Sequence, residues 1–239
     1  MTIDANGTAQ RPDARPIRPH FYVLLDRSGS METMRGDVIG GFNQLIAEQK
    51  AYGPDARITF VQFDSQDPQE VLVDARRITG ARPLTERTFV PRGGTPLLDA
   101  TGRLIARASV RQHERNVLGK RTEAITFITI TDGEENQSRE YGRKDIVRLV
   151  KEKEALGWTF AFLGAGLDAY GEAGGMGYDS RSIQAFAPDG TGALMAFQTV
   201  SDAMVARRAK LRNQESYDPG DFYEGRKDAE ADRNRRHGP

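Results

Sequence analysis

An α/β domain with a doubly wound, mostly parallel central sheet and helices on both faces is the fold this sequence predicts. Three observations carry that expectation. The apolar run at 21–25 is unbroken and those at 124–130 and 158–163 are mainly apolar, as suits strands covered on both faces. Between them lie segments whose apolar residues recur at helical spacing. The two kinds of segment alternate along the chain, which is the pattern of parallel strands joined by crossover helices.

The elements follow in order. Residues 1–17 read as a disordered arm, with Pro12 and Pro16, then Pro19 just beyond, and little to bury. Phe21-Tyr22-Val23-Leu24-Leu25 is the first central strand and ends at Asp26. Val38, Ile39, Phe42, Leu45 and Ile46 form one buried helical stripe. Gly53-Pro54 marks a turn before the strand at 58–63, and an edge strand is expected near 70–73. A long irregular stretch, 82–96, leads to a helix opened by Leu97 and Leu98. The strand at 124–130 is the second central one, and the helix at 144–156 stops at Gly157. Further expectations are a strand at 158–163, a short helix near 168–173, a strand at 182–186 and a helix over about 191–209. The domain therefore spans 18–210, and 211–239 reads as a charged, flexible tail with few apolar residues.

Composition narrows the function. Lys plus Arg and Asp plus Glu are equal at 34 each, so no bulk field favours nucleic acid or an anionic membrane. No apolar run is long enough to span a bilayer, and the N-terminus lacks the pattern of a signal peptide, so the cytoplasm is the expected compartment. The chain has no cysteine, which excludes disulfides and thiolate chemistry. His20, His113 and His237 have no zinc-site spacing and are expected to face solvent or bond locally. No Gly-x-x-x-x-Gly-Lys-Ser/Thr run occurs, and 164–168 lacks the full dinucleotide fingerprint.

The chemistry concentrates in three loops after strand-like runs. Asp26-Arg27-Ser28-Gly29-Ser30 supplies a carboxylate and two hydroxyls, Gly93-Gly94-Thr95-Pro96 a third hydroxyl, and Thr131-Asp132-Gly133 a second carboxylate. In a doubly wound sheet ligands bind beyond the carboxyl ends of the strands where the strand order reverses. The strands ending at Leu25 and Ile130 are the best candidates to flank that point. An all-oxygen set of Asp26, Ser28, Ser30, Thr95 and Asp132 favours Mg²⁺, with Mn²⁺ next and Ca²⁺ less suited to a small octahedral site. Two carboxylates roughly neutralise the ion, and neutral hydroxyls add little charge. The metal stays electrophilic towards a Glu or Asp carboxylate of another molecule.

Those five residues resemble the metal-ion-dependent adhesion site of von Willebrand factor A domains, Asp-x-Ser-x-Ser followed by Thr and then Asp. The resemblance runs in order from about Phe21 to about Arg207. It implies that Ser28, Ser30 and Thr95 ligate the metal directly, while Asp26 and Asp132 act mainly through water or hydroxyl contacts. It resembles the small stand-alone bacterial members, which implies an intracellular, non-enzymatic module binding a protein partner, such as an assembly linked to an AAA+ ATPase. Two rivals stand beside it: a Mg²⁺-dependent phosphohydrolase, and a domain whose metal is only structural. The first is disfavoured because Ser28 stands where such an enzyme places a proton-transferring Asp. Asp64 and Asp99 are candidates to orient the ligands, and capping a helix N-terminus is the plainer role for Asp99. Arg27, Met31, Arg92, Glu134, Glu135 and Asn136 neighbour the motifs and are candidate partner contacts.

Overall fold

Strand β1, Arg18–Asp26, has no side that faces water. Phe21, Val23 and Leu25 enter one apolar cluster, and Tyr22 and Leu24 enter the other. That alternation is the two-residue period of a pleated strand, with a helical layer waiting on each face. Strand β4, Glu123–Thr131, divides in the same way: Ile128 and Ile130 on one face, Ile125 and Phe127 on the other. The computed structural model describes residues 17–165 and 168–238, so the expected N-terminal arm lies, apart from Ile17, outside the described residues.

The remaining elements are α1 (Arg35–Tyr52), β2 (Arg57–Phe63), β3 (Glu70–Arg77), α2 (Leu97–Val117), α3 (Arg143–Glu154) and β5 (Thr159–Ala165). They are followed by α4 (Ala169–Gly175), β6 (Ile183–Phe186), α5 (Gly190–Asn213) and α6 (Asp228–His237). The sheet order is β3-β2-β1-β4-β5-β6. Every pairing is parallel except β2 with the edge strand β3. The chain winds outward from β1 to β3, then returns to β4 on the other side of β1. The crevice beyond Asp26 and Thr131 is therefore the switch point, as the sequence predicted.

Helices α1 and α5 cover one face. The ring of Phe42 stacks on Phe60 with centroids 4.2 Å apart. A Cβ on Gly41 would stand 2.6 Å from the Phe197 ring, so only glycine lets α5 approach this closely. Buried Arg208 donates to the carbonyls of Gln49 and Gly53 at 2.8 and 2.6 Å, satisfying the last turn of α1. On the other face α2, α3 and α4 close over Trp158, Phe160 and Phe162. Gly157, with φ +84°, ends the α3 segment in the left-handed region, as the sequence suggested.

The expected flexible tail is the main correction. After α5 the chain returns to the sheet, and Phe222 and Tyr223 are buried in the same apolar cluster as Phe42 and Leu25. Ser182 Oγ donates to the Gly220 carbonyl at 2.9 Å and accepts from the Phe222 amide at 2.8 Å. Helix α6 then packs with Ala229 inward, and Arg236 Nη1 reaches Asp189 at 2.6 Å. A mean of mostly charged residues hid two aromatic anchors, and two aromatics are enough to dock a short segment.

Candidate metal centre

The crevice at the switch point brings the three loops together through bonds between residues far apart in sequence. Ser30 Oγ donates to Asp132 Oδ1 at 2.7 Å, and Ser28 Oγ lies 3.1 Å from Ser30 Oγ. The Gly29 amide donates to the Gly93 carbonyl at 3.1 Å, tying the first loop to the Thr95 loop. A Cβ on Gly133 would stand 2.7 Å from Thr95 Oγ1, so the Thr95 hydroxyl lies directly against the Asp132 loop. The structure thus gathers Asp26, Ser28, Ser30, Thr95 and Asp132 on one rim. Ser30 is exposed, Asp132 half-buried, and Asp26, Ser28 and Thr95 are buried.

Asp26 is fully enclosed. Its Oδ1 accepts the Ser28 amide at 2.6 Å, and its Oδ2 accepts the Thr131 hydroxyl at 2.5 Å. Burial pushes this carboxyl up to about 7, against those two hydrogen bonds and together with the nearby Asp132 charge. Burial also raises Asp132, opposed by its bond from Ser30. Sequence reasoning passed over Thr131, although a hydroxyl at a strand's last residue, beside a motif Asp, was the available signal.

Asp64 lies behind the rim and bonds Arg27 and Arg92, which flank two of the loops, and none of the five candidate ligands. Its Oδ2 accepts from Arg27 Nε at 2.9 Å, Arg27 Nη2 at 2.6 Å and Arg92 Nε at 2.9 Å. Its Oδ1 accepts the amides of Gln66 and Asp67. Burial alone would raise the Asp64 carboxyl, but these amides and guanidiniums outweigh it and hold it below its ordinary value. Arg27 also pairs with Glu70. The Arg92 amide donates to the Arg27 carbonyl at 2.9 Å, so one carboxylate fixes both loops.

Asp99 does more than face its own helix. Its carboxylate accepts the amides of Arg139, Glu140 and Tyr141 at 2.8–2.9 Å, fastening the loop after β4 onto α2. Glu135 Oε2 accepts the Leu98 amide at 2.8 Å, and Ser138 Oγ accepts that of Asp99 at 3.0 Å, so the loop caps α2 in return. Asn136 Oδ1 accepts the Thr95 amide at 2.9 Å.

These bonds correct most of the expected partner contacts. Arg27 and Met31 are buried, and Glu135 and Asn136 are committed to the scaffold. Glu134 is exposed, and Arg92 is partly so. His20 is buried too: its Nδ1 lies 3.0 Å from Glu123 and its Nε2 3.0 Å from Thr59, at the far end of β1 from Asp26. The 164–168 segment falls partly outside the described residues at 166–167, and the Asp168 carboxylate accepts the Gly171 amide at the start of α4.

The donor set fits a small hard cation. Oxygens on adjacent corners of an octahedron with metal–oxygen distances near 2.1 Å stand about 3.0 Å apart. The Ser28 and Ser30 hydroxyls, at 3.1 Å, match that spacing. Among the described residues no group of three or more His, Cys, Asp or Glu could hold a metal, so any metal here relies on the hydroxyls.

No family model matches the sequence, and no curated protein does. Its fold is similar to that of several solved structures. A von Willebrand factor type A protein from Catenulispora acidiphila shares 15% identity at a TM-score of 0.50, over 79% of this chain and 43% of that one. The pilus adhesin SpaC from Lactobacillus rhamnosus GG shares 14% at 0.59, over 82% and 31%. Proximal thread matrix protein 1 from the mussel byssus, solved with a zinc-occupied MIDAS motif, shares 13% at 0.54, over 81% and 46%. This chain thus spans less than half the length of each, and at these identities the likeness is one of fold.

Proposed function

We propose that the domain is a protein-binding module that grips an acidic side chain of its partner through a divalent cation, Mg²⁺ by the chemistry of the donors. Ser28, Ser30 and Thr95 would hold the ion directly, with Asp26 and Asp132 bonded to the ligating hydroxyls or to its water. Bound there, the cation supplies an electrophilic position for a Glu or Asp carboxylate. The reading rests on one observation above all: Ser28, Ser30 and Asp132 converge, with hydroxyl oxygens 3.1 Å apart, at the sheet's switch point. Two similar folds lend it support, one named an adhesin and one solved with zinc in its own MIDAS motif.

In this reading the site binds and does not turn over. Ser28 offers no carboxylate for proton transfer two residues after Asp26, and His20 sits six residues back along β1, about 20 Å away. The test is recovery of a partner from lysate on the immobilised domain with Mg²⁺ and with EDTA. A partner held only with Mg²⁺, and lost with Thr95→Ala, supports the proposal. Mg²⁺-dependent phosphate-ester hydrolysis that disappears in Asp26→Asn would replace it with an enzyme.

A further inference from the structure

We propose that the groove between α2 and the edge strand β3 is a second binding site, for a small organic anion with an apolar body and a carboxylate or phosphate. It is separate from the metal centre: Tyr22, at its floor, lies four residues back along β1 from Asp26, about 13 Å away. The cavity measures about 540 Å³, within the range of small-molecule sites, and Tyr22, Gln69, Arg103, Arg107 and Arg111 line it together with the acids Asp74 and Glu140.

Three buried polar atoms in this one groove, Tyr22 Oη, Gln69 Nε2 and Arg111 Nε, have no hydrogen-bond partner, and each can donate. The Tyr22 side chain is 1% exposed, and its ring stacks on His20 at 4.2 Å. The Thr59 hydroxyl beside it accepts the Ala75 amide and bonds His20. A buried donor without a partner destabilises the fold, so an incoming acceptor is favoured here.

Charge points the same way. Arg103, Arg107 and Arg111 recur every four residues and share one face of α2. Arg111 Nη2 pairs with Glu123 at 3.1 Å, which leaves its Nε free. Arg103 and Arg107 pair with Glu140 and Asp74 at 2.7 and 2.6 Å, in half-exposed pairs of small net worth. A ligand anion can exchange with those acids at little cost, while Ala106, Val110 and Tyr141 cover its apolar part.

The test is a ¹⁵N-¹H NMR titration of the full chain, in EDTA to silence the metal centre. The probes are phenylacetate, phenyl phosphate and the neutral phenylacetamide. The expected result is that one or both anions move the Arg111 Nε–H and Gln69 side-chain signals while the amide does not; the stronger anion identifies the headgroup. Tyr22→Phe, which keeps the ring, should weaken that binding about tenfold, and Gln69→Leu provides a second variant on the loop. Signals unmoved by either anion to about 10 mM, equal shifts with the amide, or unchanged affinity in both variants would overturn the proposal.

Discussion

The Ser30 hydroxyl and the Asp132 carboxylate, 102 residues apart in sequence, meet at 2.7 Å beyond the ends of β1 and β4. Each lies in a loop that follows a central strand, and the parallel pairing of those strands sets Leu25 opposite Ile130. The sheet therefore delivers the contact, and the loops need only short reach. This is why the rim can be preformed: its precision comes from strand register and from Asp64, Asp99 and Glu135 behind it.

Asp64 is the first place to test that support. Replacing it with Ala leaves Arg27 buried with only Glu70 as a charged partner and frees Arg92. Breaking a buried pair in this way should cost about 3 kcal/mol in urea denaturation. Mg²⁺ affinity should fall as well, because the Ser28 and Thr95 loops lose their shared anchor. Stability and affinity close to wild type would show that the backbone bonds alone position the rim.

Asp99→Ala removes the acceptor of three loop amides. Those amides should lose hydrogen-exchange protection while the strands keep theirs, and global stability should fall by about 2 kcal/mol. Unchanged exchange at Arg139, Glu140 and Tyr141 would contradict the fastening role.

Glu123 should set part of the acid limb of stability. Burial alone would raise its carboxyl, but the hydrogen bonds and charges of His20 and Arg111 outweigh it and hold it at about 2. A carboxyl depressed on folding stabilises fully above its unfolded value of 4.5 and loses that contribution as pH falls towards 2. His20 is lowered by its own burial, so it too favours the folded state above its ordinary value of 6.5 and less below it. Glu123→Gln should therefore be less stable at pH 7 and show a flatter decline between pH 4.5 and 2 in denaturation curves taken across that range. A decline as steep as wild type would remove Glu123 from the account.

Phe222→Ala tests the docked C-terminal segment. A fully buried Phe should cost about 3–5 kcal/mol when truncated, and a side chain in a solvated tail close to nothing. A change within about 0.5 kcal/mol would restore the tail reading.

The sequence showed most of the fold because β1, β4 and β5 are each built around a mainly apolar stretch, a pattern that survives without any tertiary knowledge. It also showed the five rim residues, since their types and order are local to three loops. It could not show which neighbours are scaffold. Arg27, Glu135 and Asn136 look like exposed loop residues until the fold brings Asp64, Leu98 and Thr95 to them. Phe222 and Tyr223 were missed for a related reason: averaged over a charged stretch, two aromatics vanish, yet their burial is decided by the cavity they meet.

The most direct measurement is calorimetric titration of Mg²⁺ into the wild type and Asp132→Ala, with thermal melts of both. The account predicts one binding event and a raised melting temperature for the wild type. For Asp132→Ala it predicts neither effect, with the metal-free melting temperature little changed. Equal Mg²⁺ binding by the two proteins would place any metal elsewhere and contradict the claim that these loops form its site.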